Sequence, residues 1–366
     1  MLGNFPEMAL RITFLCLIAG FHAYGDGVLS PCRRVSFANQ GVNVVWEYIV
    51  KSPSTVSIVG ASHLTANKDG DVVLRIPESL DGRYVFDIAP FAFSNNQQIV
   101  EVEISGKWMR LIGKCAFVDC KNLRSLRIGS ECIHLRIGES AFYGCTSLRE
   151  TRFLGIIASV GRYAFRKCSA LESVHFAYAH DIWPHAFSEC SQLRAVNIPE
   201  DCDCSFGSAF ALCPSLERIE LSLRNPNYMK KGAILYTRDE RFLCLAPARC
   251  SGGAIDVPEK TQSICDYAFA YADVTEIMLP DGLENIGRGA FMLCTGLREV
   301  HIPKTVEEIQ DYAFIGCSNL NSVVFQGGKL PKIGQSVFMK DVRLVCDEKE
   351  FADVSKHVFF CPSRTK

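Results

Sequence analysis

The residues with most chemical potential in this chain are its 18 cysteines. Seven of them share one recurring place: Cys120, Cys145, Cys168, Cys190, Cys213, Cys294 and Cys317 each stand three residues after a phenylalanine. Thiols so spaced could form disulfides, hold a metal or act as nucleophiles beside a histidine. If the copies stack as successive turns of one coil, equivalent residues repeat at about 4.8 Å, whereas a disulfide needs its Cβ atoms about 3.8 Å apart with a defined torsion. The column therefore reads as buried free thiols, inert as nucleophiles. Cys202-Asp203-Cys204 lacks the paired Cys-x-x-Cys or His partners of a zinc site, so neither a metal nor a cofactor is expected. Cys346 and Cys361 flank the last expected strand and a helix expected over residues 348–356, where a disulfide between them would pin the C-terminal end in an oxidising compartment. His175 and His301 lie several repeats apart, and no G-x-S-x-G, H-E-x-x-H, phosphate-loop or dinucleotide motif occurs. The sequence reads as that of a non-enzyme.

What must position the thiols is the repeat that carries them. Phenylalanine recurs behind Ala or Val at Phe93, Phe117, Phe142, Phe165, Phe187, Phe210, Phe269, Phe291, Phe314 and Phe338, at intervals of 22 to 25 residues broken by one of 59. A period of that length marks a solenoid, in which each repeat buries its apolar face only against its neighbours. One elongated module is expected from the 366 residues rather than several domains. Five residues before each Phe stands Ile or Val, except at Ser205, and six residues after it stands Leu in most copies, as at Leu123, Leu171 and Leu297. An apolar pair two apart follows, such as Leu126/Ile128 or Val300/Ile302, the mark of a strand with one buried face. Each repeat is thus expected to supply one short strand, stacked in parallel on the next, with loop or short helical returns. The Phe rings should form a spine filling the space between layers.

The ends read differently. Residues 1–25 have the features of a secretory signal: an apolar run from residue 9 to 23, the charge of Arg11, and small residues at Ala23 and Gly25, with Met8 an alternative start to Met1. The run is shorter than the roughly 20 residues a membrane span needs. Residues 26–71 read as a β-rich N-terminal cap, with strands over 42–50 and 55–59, because a solenoid end exposes an apolar cross-section. Repeats are expected over 72–222 and 255–340, and a C-terminal cap over 341–366. Between the repeats, 223–254 reads as a hairpin insertion whose runs 232–236 and 242–247 flank Arg238-Asp239-Glu240-Arg241, and a protruding hairpin often carries contacts. The net charge of -1, from 39 basic and 40 acidic residues, removes the electrostatic footprint of a nucleic-acid binder.

The unit Ile-Gly-x-x-Ala-Phe-x-x-Cys-x-x-Leu-x-x-Val-x-Ile-Pro, nearly complete over 286–303 and 309–325, resembles the BspA-type leucine-rich repeat, and the resemblance covers residues 72–345. The entry segment 76–93 and the insert at 232–236 are similar to features of that family. Departures are Asn96 and Ala272 in the Cys column and the irregular copy at Ser205-Phe206. The resemblance implies a leucine-rich-repeat solenoid in an exported bacterial protein, secreted, at the cell surface or in the periplasm, with relatives in parasitic protists. It further implies adhesion to host cells, to extracellular-matrix proteins such as fibronectin, or to other microbes. A periplasmic or envelope scaffold binding another bacterial protein through the same surface is the alternative, since fold alone does not fix function. The motif contains no catalytic residue to carry over.

Between the members of each buried pair lie Arg127, Arg152, His175, Asn197, Glu220, Met278 and His301, whose side chains face out of the core. Stacking would line them up on one sheet, which makes them the candidate residues for a protein partner. Arg127 and Arg152 are the expected anchors because Arg is enriched in binding hot spots.

Overall fold

The computed structural model describes residues 21–23, 29–39, 42–64, 66, 70–204, 206–250, 253–327, 330–339, 342–346, 349–350 and 359–360. Most repeats contribute two strands, not the single one expected, and these build two parallel sheets. The first sheet takes the apolar pairs. It runs through Val72–Ile76, Ile99–Ile104, Ser125–Ile128, the leading parts of Glu150–Val160 and Ser173–Ile182, then Ala195–Ile198 and Arg218–Leu221. The same pattern resumes in Gly253–Asp256 with Val274–Met278, and in Glu299–Ile302, Ser322–Phe325 and Arg343–Cys346.

The second sheet is built on the Ile or Val five residues before each Phe. Arg83–Ile88, Leu111–Ile112, Leu135–Ile137 and the trailing parts of the two long strands pair in parallel, as do Ser263–Ile264, Asn285–Ile286, Glu308–Ile309 and Lys332–Ile333. The glycine after the isoleucine lets adjoining turns close. A Cβ on Gly138 would sit 2.7 Å from the Ile112 carbonyl oxygen, and one on Gly287 2.7 Å from the Asp266 nitrogen. Pro77, Pro199, Pro258 and Pro303 stand just after the first-sheet strand, and a residue without an N–H ends a ladder. Two strands with no proline at that place, Glu150–Val160 and Ser173–Ile182, cross both sheets unbroken, whereas Ile99–Ile104, Ser125–Ile128 and Ser322–Phe325 end there without one.

The third side is a turn around each Phe. In most of these turns the residues two before and two after the ring adopt left-handed backbone, as do Tyr163 (φ 60°) and Lys167 (φ 63°) about Phe165, and Tyr267 (φ 58°) and Tyr271 (φ 65°) about Phe269. For a residue with a Cβ that conformation costs about 1–2 kcal/mol, and burial of the ring offsets it. Among the described residues the only α-helix is Phe206–Ala209, so of the loop or short helical returns expected the chain uses turns, together with the second-sheet strands. Lys349–Glu350, inside the expected C-terminal helix, is a strand antiparallel to Arg343–Cys346.

The insertion does not protrude. Tyr228–Lys231, Ile234–Thr237 and Phe242–Leu245 form an antiparallel meander whose last strand joins Ser263–Ile264 in the second sheet. Leu235 and Leu245 pack into the core of the preceding turns, while Tyr236 and Leu243 pack into that of the following ones. A segment apolar on both sides is stabilised by being enclosed, and Leu235, Tyr236 and Leu243 are at most 1% exposed. Towards the N-terminus, Arg33–Asn39, Val42–Ser52 and Thr55–Ser62 form a second meander that joins Arg83–Ile88 in parallel and buries Trp46 and Tyr48. The expected leader lies outside the described residues apart from Phe21–Ala23, which pairs antiparallel with Leu29–Pro31. Among the described residues no helix is long and apolar enough to cross a membrane.

Candidate functional site

The outward face of the first sheet is held in place by the Phe spine behind it. Phe117, Phe142, Phe165 and Phe187 stack with centroids 5.0 to 5.1 Å apart and ring planes within 5°. Phe269, Phe291 and Phe314 repeat the arrangement at 5.0 and 4.9 Å. That spacing is close to the strand separation, so one ring occupies each layer. Between the two runs Ala246 takes the place of a Phe, its N–H donating to the Ala268 carbonyl at 2.7 Å as the Phe N–H does in other turns.

The cysteine column ties each turn to the one before. Cys120, Cys145, Cys168, Cys190 and Cys213 donate from Sγ to the carbonyls of Phe93, Phe117, Phe142, Phe165 and Phe187 at 3.1 to 3.3 Å. Cys294 and Cys317 do the same to Phe269 and Phe291 at 2.9 and 3.0 Å. At the two departures, Asn96 and Ala272, the turn before carries no Phe: the Phe93 turn has none before it and the Phe269 turn follows Ala246. Asn96 Oδ1 instead accepts from the backbone N–H groups of Gln98 and Ile99 at 2.9 and 3.2 Å. Desolvation pushes Cys120, Cys213 and Cys317 up to about 12 and the other four well above the ordinary thiol range. N-ethylmaleimide at neutral pH should therefore leave the column unlabelled in the native protein and label it fully in guanidinium, as read by peptide mass spectrometry. Labelling of Cys168 or Cys294 at the rate of a free thiol would contradict this. All seven thiols are free in the structure. The expected Cys346–Cys361 pair falls outside the described side chains, as does Cys204. Among the described residues no group of three or more His, Cys, Asp or Glu could hold a metal ion.

On the face itself, Glu103, Arg127, Arg152 and His175 lie opposite one another on four neighbouring strands. Their surroundings differ. Arg127 Nη1 lies 3.1 Å from Glu101 and 3.4 Å from Glu103, whose other oxygen meets Arg75 at 2.6 Å, so its charge is already balanced. Arg152 reaches Glu150 only at 3.9 Å and keeps 67% of its side chain exposed. His301 Nε2 is 2.8 Å from Glu299, whose carboxyl is held below its usual range by the Ser322 hydroxyl and then by His301. His175, Glu220 and Met278 face solvent.

Asn197 has a structural task. Its Nδ2 donates to the Phe176 carbonyl and its Oδ1 accepts from the Phe176 N–H, both at 2.7 Å. Ala195–Ile198 pairs with Ser173–Ile182 only through Ser173 and Val174 before the longer strand turns towards the second sheet, and the amide replaces the lost ladder bonds. Asn197→Ala should cost about 1–3 kcal/mol by leaving Phe176 unpaired, a shift readable in a denaturant midpoint. An unchanged midpoint would show that water serves Phe176 equally well. Sequence reasoning missed this role, and it missed a group of exposed aromatic residues on the second sheet, which stand off every apolar column.

Two parallel sheets closed by a turn around a stacked ring define a leucine-rich-repeat solenoid without the usual helices. The chain belongs to the BspA type leucine rich repeat family, whose repeat region matches in six copies over residues 81–179, 111–237 and 248–359. No match was found among curated proteins. Among solved structures it is similar to the pneumococcal vaccine antigen PcpA, at 17% identity, 90% of this chain, 91% of that one and a TM-score of 0.66. It is also similar to a leucine rich cell surface protein of Faecalibacterium prausnitzii, at 17% identity, 86% and 95% coverage and a TM-score of 0.54. A leucine-rich repeat protein of Bacteroides ovatus aligns at 23% identity, 82% and 69% coverage and a TM-score of 0.53. At these identities the likeness to solved structures is one of fold.

Proposed function

We propose that the chain is a non-enzymatic protein-binding module that adheres to host cells or to extracellular-matrix proteins such as fibronectin through the outward face of the first sheet. The observation that carries this reading is a pre-formed parallel sheet presenting Arg152 and His175 side by side, with exposed Met278 farther along. A rigid surface loses little conformational entropy on binding, which favours affinity. Arg127 and His301, already paired, are assigned to fixing their neighbours, and Glu220 to the rim. The expected leader and the cell-surface name of one structural neighbour support export, and the caps expected at 26–71 and 341–366 belong to the same proposal.

Two measurements test it. Protease added to intact cells should remove the protein, because an adhesin must be reached from outside, whereas protection until the envelope is opened would favour the scaffold reading. Binding to immobilised fibronectin and other matrix proteins should weaken about tenfold or more in an Arg152→Ala, His175→Ala, Met278→Ala variant. A folded variant that binds every identified partner as the parent does would remove the first sheet from the account.

A further inference from the structure

A second surface carries chemistry that the protein-binding reading does not use. Over strands Arg83–Ile88, Leu111–Ile112 and Leu135–Ile137 the outward side of the second sheet and its entering turns expose Tyr84, Phe86, Trp108 and Ile133, each 37 to 42% accessible. The Tyr84 and Trp108 rings lie 4.9 Å apart at 34°, and the Lys107 ammonium sits 5.6 Å from the Trp108 centroid. Arg110 Nη1 donates to the Lys107 and Met109 carbonyls at 2.7 and 3.0 Å, which fixes the turn that carries the indole.

The charge balance here differs from that of the first sheet. There Arg75, Glu101, Glu103 and Arg127 neutralise one another. Here exposed Lys107 and Arg136 have no carboxylate within ion-pair distance among the described residues. Flat aromatic rings suit the apolar C–H faces of pyranose rings, and uncompensated cations suit acid groups spaced along a polymer.

We propose that this face binds a linear anionic polysaccharide bearing uronate or sulfate groups, with Tyr84 and Trp108 stacking on sugar rings and Lys107 and Arg136 pairing with the acid groups. An acidic peptide fits less well. A peptide gains most on a sheet by adding a strand to a free edge, and both edges of Arg83–Ile88 and of Leu111–Ile112 are already paired. A single-stranded nucleic acid would use the same ring and charge types, but the net charge of -1 gives it no wider basic field.

The test is surface plasmon resonance on immobilised heparin, which carries sulfate and uronate, and hyaluronan, which carries uronate alone. Poly-glutamate, oligothymidylate and neutral dextran serve as comparisons. Binding to one or both anionic polysaccharides that weakens with salt, and none to dextran, is expected. Trp108→Ala should lower the affinity about tenfold, and Lys107→Ala with Arg136→Ala should lower it and flatten its salt dependence. Lys332→Ala, in the separate sheet that the later repeats form from the equivalent strands, should leave it unchanged. The proposal fails if neither polysaccharide binds, or if poly-glutamate or oligothymidylate binds as tightly as heparin. It fails equally if Trp108→Ala, folded by circular dichroism, binds as the parent does.

Discussion

Phe291→Ala is expected to destabilise the protein by about 3–5 kcal/mol, the cost of a large-to-small change at a fully buried aromatic site. Phe291 is 0% exposed, with the rings of Phe269 and Phe314 5.0 and 4.9 Å away on its two faces. The cavity cannot collapse by a shift of one neighbour, because each adjacent ring is fixed by its own turn. Phe291→Leu, which retains most of the volume, should cost less than about 1.5 kcal/mol. Pairing also matters. Phe291→Ala combined with Phe314→Ala should depart from additivity because the two rings touch, whereas Phe291→Ala with Phe142→Ala should add. Denaturant midpoints at constant slope report these differences, and an Ala variant as stable as the parent would mean that the rings do not carry the stack.

Gly287→Ala is expected to cost about 1–3 kcal/mol for the opposite reason, an added methyl with no room. The new Cβ would lie 2.7 Å from the Asp266 nitrogen and 2.8 Å from the Cys265 carbonyl carbon, both backbone atoms that can move only if two turns part. Gly106→Ala is the comparison. Its Cβ would come no closer than 3.6 Å to Glu78, so there the smaller entropy of the unfolded chain should leave the protein unchanged or more stable by about 0.4–1 kcal/mol. Equal effects at the two glycines would argue against close backbone approach as the reason for Ile-Gly in the repeat.

These contacts explain what could be read from the residues alone. The Phe and Cys columns were legible because each holds one side chain of distinctive type at a nearly constant interval, and the first sheet because its apolar pairs alternate with polar residues. The second sheet was not, since a strand as short as Leu111–Ile112 offers no alternation to detect. The insertion was misread as protruding because two apolar runs about a polar turn look alike whether one side is covered or both. Only the cores before and after it show that both are. On the candidate face, position alone identified the outward residues. It could not tell that Asn197 is committed to Phe176, or that Glu101 and Glu103 quench Arg127, because both depend on neighbours about 21 to 26 residues away.

The most direct test of the claim that the first sheet is a contact surface is site-specific photo-crosslinking on the organism's surface or on a matrix-coated plate. A benzophenone side chain placed at His175 should capture one discrete protein partner, and the same group at Lys332, exposed on the second sheet, should capture none. Capture of the same protein from Lys332 and not from His175 would contradict the account.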